Sequence, residues 1–178
     1  MIALSKNEIV KIIQEWKRLS EQEQDAKIDE FQKNQPYLYQ ALFGPLSDGI
    51  AEENLDMAHF FLYRCLDIIF VYNKVFGNPS VKEMDEQWLI NKTMLLNAEL
   101  TSLAGGISMN AKFRNRLNDR LVERSIDAGL QIELLQYLDE QVENYASFKH
   151  SRQKAVQITN NLLFVFVRLL DDIYATDK

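Results

Sequence analysis

Apolar residues recur every three or four positions along most of the chain, and the runs are divided by local start and stop signals. That spacing is the period of amphipathic helices. Ser5 and Glu8 form S-x-x-E, in which the serine side chain accepts from the amide three residues on and the glutamate reaches back to the cap. Leu4 and Ile9 stand at the staple positions around it. A first helix is expected to reach about Leu19 and to bury Ile9, Ile12, Ile13 and Trp16. Ser20 and Glu23 repeat the box and open a polar helix to about Asn34, with a thin apolar face of Ala26, Ile28 and Phe31. Pro36 disfavours helical backbone at Gln35. A short apolar helix, PYLYQALF, follows until Gly44-Pro45.

The next run is the longest, from about Asp48 to Phe76, and Gly77, Asn78 and Pro79 stop it. A third capping box, Ser80 and Glu83, opens a helix carrying Trp88, Leu89, Leu95, Leu96, Leu100 and Leu103, which ends at Gly105-Gly106. A helix from about Asn110 holds Phe113, Leu117, Leu121 and Ile126, and Gly129 weakens or breaks it. The pattern resumes with Leu134, Leu138, Val142 and Tyr145, and a final helix spans about Ser151 to Tyr174. No segment alternates apolar and polar residues over a useful length. The expected fold is all-α, one domain over 1–178, with about six to eight helices and central apolar helices near 48–76 and 151–174.

Composition narrows the function classes. The 178 residues suffice for one domain with a sizeable core. Apolar residues make up 47% and charged residues 26%, which does not fit disorder. Gly (6) and Pro (3) are too scarce for the frequent turns of an all-β chain. The net charge of −6 argues against a general binder of polyanions, so a nucleic-acid partner is not expected. Cys65, the single cysteine, excludes an internal disulfide and any multi-cysteine zinc site. The opening MIALSKNEIVKIIQEW lacks the basic and then apolar regions of a signal peptide, which makes the cytoplasm the expected location.

The stretch DMAHFFLYRCLDIIFVYNK (56–74) tests whether the chain enters a membrane. Met57 to Phe76 has the length of a span. Its ten Leu, Ile, Phe and Val residues contribute about −0.5 kcal/mol each to insertion, whereas Arg64 and Asp67 near the middle cost about +3 each. The sum does not favour insertion, and no membrane association is expected. Instead, Ala58, Leu62, Cys65, Ile69, Tyr72 and Phe76 form one continuous helical seam. Met57, Phe61, Arg64, Ile68, Val71 and Val75 form a second beside it. A helix apolar over most of its circumference is a central one.

FFLYRCLDIIF (60–70) has an echo in FVFVRLLDDIY (164–174): Phe, Arg, Leu, Asp and Ile coincide at 60/164, 64/168, 66/170, 67/171 and 69/173. Both copies place an arginine three residues before an aspartate in an apolar helix, and a local ion pair is geometrically possible in each. Buried charges must be paired. Arg64, Asp67, Arg168, Asp171 and Asp172 are therefore either salt bridges fixing helix register or, with His59, the polar lining of an interhelical pocket.

Chemistry finds little support. Glu52, Asp56 and His59 share a helix face, and Asp56-x-x-His59 is close to the Glu-x-x-His half-motif of di-iron bundles. Such a site needs two half-motifs, and His150, the only other histidine, has Ser147 three residues before it. Cys65 lies in an apolar seam, where a thiol is poorly reactive. There is no G-x-S-x-G, phosphate-binding glycine loop, H-E-x-x-H or dinucleotide fingerprint. No catalytic residue, metal site or cofactor is therefore expected. The one basic stretch, NAKFRNRLNDRLVER (110–124), lines Lys112, Arg116, Arg120 and Arg124 along one face. That face suits a solvated helix pairing with acidic neighbours, or a nucleic-acid-linked regulator. The leading expectation is a non-enzymatic helical protein that associates with a protein partner or with itself. A small-ligand or metal-binding bundle is the alternative.

Overall fold

A computed structural model describes residues 3–77, 85–104 and 131–175, the side chains of 97–104 and 175 excepted. Every regular element among them is helical, in agreement with the expected fold class. The third capping box, Gly105-Gly106 and the 110–129 helix lie outside the described residues, as does the whole basic face of Lys112, Arg116, Arg120 and Arg124.

Helix α1 (Lys6–Arg18) begins at the first capping box. The Glu8 amide donates to Ser5 Oγ, and the Glu8 carboxylate accepts from the Ser5 amide at 2.9 Å. Helix α2 (Glu21–Asn34) starts the same way at Ser20, whose amide donates to Glu23 at 2.8 Å. Helix α3 (Pro36–Ala41) opens with a proline at its first position, where no amide partner is needed. Gly44-Pro45 does not end the run there. The chain passes through one wide, π-type turn at Leu42–Leu46, kinked at Gly44, into α4 (Ser47–Ala51).

The long run expected from Asp48 to Phe76 is two helices. The chain leaves helical geometry after α4, and α5 (Leu55–Phe76) starts afresh with Asn54 as cap, its side chain accepting from the Met57 amide at 3.0 Å. An asparagine oxygen satisfies an otherwise orphaned amide, so the break is stable inside a stretch whose period alone reads as continuous. Gly77 ends α5 at φ 78°, a conformation that only glycine adopts without strain. Helix α6 (Glu86–Ala104) is preceded by Asp85, whose carboxylate accepts from the Trp88 amide at 2.7 Å. Helix α7 (Ile132–Ser147) follows the undescribed stretch. The last apolar run begins as a 3₁₀ segment, His150–Ala155, and becomes α-helical only as α8 (Val156–Ala175).

One connected core holds these elements. Ile9 and Ile13 of α1, Met57 and Phe61 of α5, Leu134 and Leu138 of α7, and Leu163 and Phe166 of α8 are all fully buried within it. Both seams expected on 56–74 run along α5, which packs against α1, α4 and α8. The N-terminus is tied down by Leu4, whose amide donates to Gln131 Oε1 at 3.0 Å in a buried contact.

Candidate functional site

The two arginine–aspartate positions are built differently. On α5, Arg64 Nη1 lies 2.9 Å from Asp67 Oδ2, with the side chains 11% and 3% exposed. The Arg64 guanidinium also rests over the Phe60 ring, 5.2 Å from its centre. Phe60 stacks at 4.4 Å on Tyr145 of α7, and the Arg152 guanidinium lies 3.8 Å from the centre of the Tyr145 ring. Arg152 continues to Asp56 at 3.0 Å, where Lys149 joins at 2.8 Å. The result is a ladder from Asp56 to Asp67 in which each arginine meets both an aromatic face and a carboxylate. Face-on cations are attracted by the ring quadrupole, more strongly where water is excluded. Lys149 and Arg152 hold the Asp56 carboxyl below its ordinary range. Asp67 goes the other way: burial raises it, and the attraction of Arg64 only partly offsets that.

On α8 the echo is not an ion pair. Asp171 is 6% exposed and takes its hydrogen bond from Tyr72 of α5, whose hydroxyl donates to Oδ1 at 2.6 Å. Asp171 Oδ2 is buried without a hydrogen-bond partner among the described residues. Burial pushes the Asp171 carboxyl up to about 7, against the lowering effects of the Tyr72 hydrogen bond and of Arg168. A carboxylic acid in that range is largely protonated below neutrality, and this relieves the cost of burying it. Burial and the nearby Asp171 in turn raise the Tyr72 hydroxyl well above its usual range. The site is walled by rings: Tyr72, Phe76 and Tyr174 pack in a triangle, and the Tyr174 hydroxyl donates to Asn73. Arg168 is half-buried and makes no ion pair within 4.0 Å among the described residues. Asp172 turns outward to Lys92 of α6, at 2.8 Å.

The polar residues proposed as one pocket lining are therefore not brought together. His59 is exposed on the outer side of α5, Arg64 and Asp67 close on each other, and Asp171 faces Tyr72. Among the described residues, no group of three or more His, Cys, Asp or Glu side chains is placed to hold a metal ion. Cys65 is buried, and burial raises its thiol well above the ordinary range, which removes the thiolate a nucleophile needs. No helix among the described residues is long and apolar enough to cross a membrane.

His59 instead belongs to a surface feature that the two seams had hidden. Leu55, His59, Leu62, Tyr63 and Leu66 fall on one outward stripe of α5, at the i, i+4, i+7, i+8, i+11 spacing of a single helix face. Leu55 is 60% and Tyr63 64% exposed. Phe43, from the π-type turn, stands beside them with its ring 4.5 Å from that of Tyr39. Phe43, His59, Leu62, Tyr63 and Leu66 line an open hollow of about 270 Å³. A much smaller one, also lined by Leu66, lies between Trp16, Ile28 and Phe70. A solvated helix face normally carries charge, whereas this stripe carries no Asp, Glu, Lys or Arg. That missing charge was the one sequence signal that could have located it. Phe43, Leu55, Tyr63 and Arg152 were not singled out from the sequence, and Tyr72 was placed in an apolar seam without its hydrogen bond to Asp171.

No protein-family model, curated protein or solved structure matches the chain.

Proposed function

We propose that the protein acts without catalysis, as a helical module that associates with another protein chain through the outward face of α5. The observation that carries this reading is Tyr63, largely exposed in an uncharged stripe beside an apolar hollow. Contiguous exposed apolar surface is costly to leave in water and marks interaction sites. Aromatic side chains next to pockets are also the usual anchors of protein interfaces. A ligand-binding bundle draws less support, because Arg64 lies against Asp67 and Asp171 accepts from Tyr72, so the polar groups are divided between two separate internal contacts. A cytoplasmic location is part of the proposal.

The test is a photo-activatable phenylalanine analogue placed at Tyr63 and, as control, at Gln157 on α8, in cells expressing the full chain. Covalent protein adducts are expected from position 63 and not from position 157. Adducts absent at both positions, or equal at both, would count against the proposal.

A further inference from the structure

We infer that the partner on this face is a second copy of the chain, seated with its α5 antiparallel about a two-fold axis near Tyr63. This rests on the association reading above and adds the identity of the occupant. A two-fold interface must be self-complementary, so one face has to carry both the projection and the recess that receives it. The α5 face meets that requirement. Tyr63 projects, and the hollow between Phe43, His59 and Leu62 lies directly beside it. Rotation about an axis through the middle of the stripe brings each Tyr63 over the other copy's hollow.

The charges at the two ends of the stripe fix the direction. Around the α5 N-terminus Glu52, Glu53 and Asp56 outnumber Lys149 and Arg152, and Glu52 and Glu53 stand exposed. Beyond the other end of the stripe, Lys17, Lys27 and Lys74 outnumber Glu15 and Glu30. Lys74 and Lys27 bridge to Glu15 and Glu30 at 3.2 Å while remaining about half exposed, so each keeps hydrogen-bonding capacity toward solvent. An antiparallel pairing lays the acidic end of one copy on the basic end of the other, twice. A parallel pairing sets like against like. Antiparallel packing also opposes the two helix dipoles favourably.

The experiment is sedimentation equilibrium on the full-length chain and three variants, with circular dichroism confirming that each is folded. All substituted positions are exposed. The wild type is expected to dimerise. Tyr63→Glu is expected to weaken the dimer by roughly 30-fold or more, the scale of losing an interface anchor. The double variant Glu52→Lys/Glu53→Lys makes both ends basic, and Lys27→Glu/Lys74→Glu makes both ends acidic. Each alone is expected to sediment as a monomer, and a mixture of the two is expected to restore a dimer. A monomeric wild type overturns the inference, as does a dimer that Tyr63→Glu leaves intact or a mixture that is not rescued. Crosslinking at position 63 separates this failure from that of the association reading. Adducts to a different protein alongside a monomeric wild type remove only the second copy, and no adducts at all remove both.

Discussion

Arg64-x-x-Asp67 and Arg168-x-x-Asp171 present the same residues at the same spacing in two apolar helices, yet only the first closes into an ion pair. The difference lies in what the neighbouring helices bring to each site. Around Arg64, the Phe60 ring of the same helix, backed by Tyr145 stacked on it from α7, lies under the guanidinium while Arg64 reaches Asp67. Around Asp171, α5 offers the Tyr72 hydroxyl, a neutral donor that satisfies a carboxylic acid without a buried cation. One aspartate is kept by charge and the other by protonation and a neutral hydrogen bond. Sequence spacing sets which pairs are possible, and the packing partner decides which forms.

The largest expected effect comes from removing the cation of the closed pair. Arg64→Ala leaves Asp67 buried without its countercharge, a change that costs about 3–5 kcal/mol at comparable sites. The low end is expected, because Asp67 is already raised and can take up a proton. Urea denaturation at neutral pH measures it, and a loss under about 1 kcal/mol would mean the pair is not a structural element.

Next in size is a pH dependence specific to Asp171. Its carboxyl ionises near 3.8 in the unfolded chain and at about 7 in the folded protein. Between those values the folded state holds the extra proton, so stability falls as pH rises from about 4 to 7. The slope approaches about 1.4 kcal/mol per pH unit, and below about 4, where both states hold the proton, this stability is fully present and no longer varies with pH. Asp171→Asn keeps an acceptor for Tyr72 but cannot ionise, and it is expected to flatten this part of the profile. An unchanged slope in the variant would assign the ionisation to another group.

Tyr72→Phe removes the donor and leaves both Asp171 oxygens without a partner among the described residues, an expected loss of about 1–3 kcal/mol by thermal unfolding. The loss should shrink at low pH, where the neutral acid is easier to bury. The smallest effect is expected for Arg168→Ala, below about 1 kcal/mol, since this half-buried side chain makes no ion pair among the described residues. An Arg168→Ala loss as large as that of Arg64→Ala would erase the distinction between the two sites.

What was legible in the sequence follows the range of the interactions. The starts of α1 and α2 were readable because Ser5–Glu8 and Ser20–Glu23 cap within four residues, and no distant group alters them. The seam from Ala58 to Phe76 was readable because burial follows helical period. The break at Asn54 was missed because a side-chain cap competes with a run whose apolar spacing continues through it. The partner of Asp171 was illegible because Tyr72 lies 99 positions away and only tertiary packing brings it close. The outward stripe went unread for another reason. Leu62 was assigned to a buried seam, and the missing charge along the stripe does not by itself say which side of a mostly apolar helix stays uncovered.

Identical local spacing yields a strongly coupled pair on α5 and a weakly coupled one on α8, and a pair of double-mutant cycles tests this directly. Arg64/Asp67 and Arg168/Asp171 would each be replaced by alanine singly and together, with stability measured under one set of conditions at about pH 8. A coupling of about 1 kcal/mol or more is expected at 64/67 and about 0.5 kcal/mol or less at 168/171. Equal couplings, or the reverse order, would contradict the account.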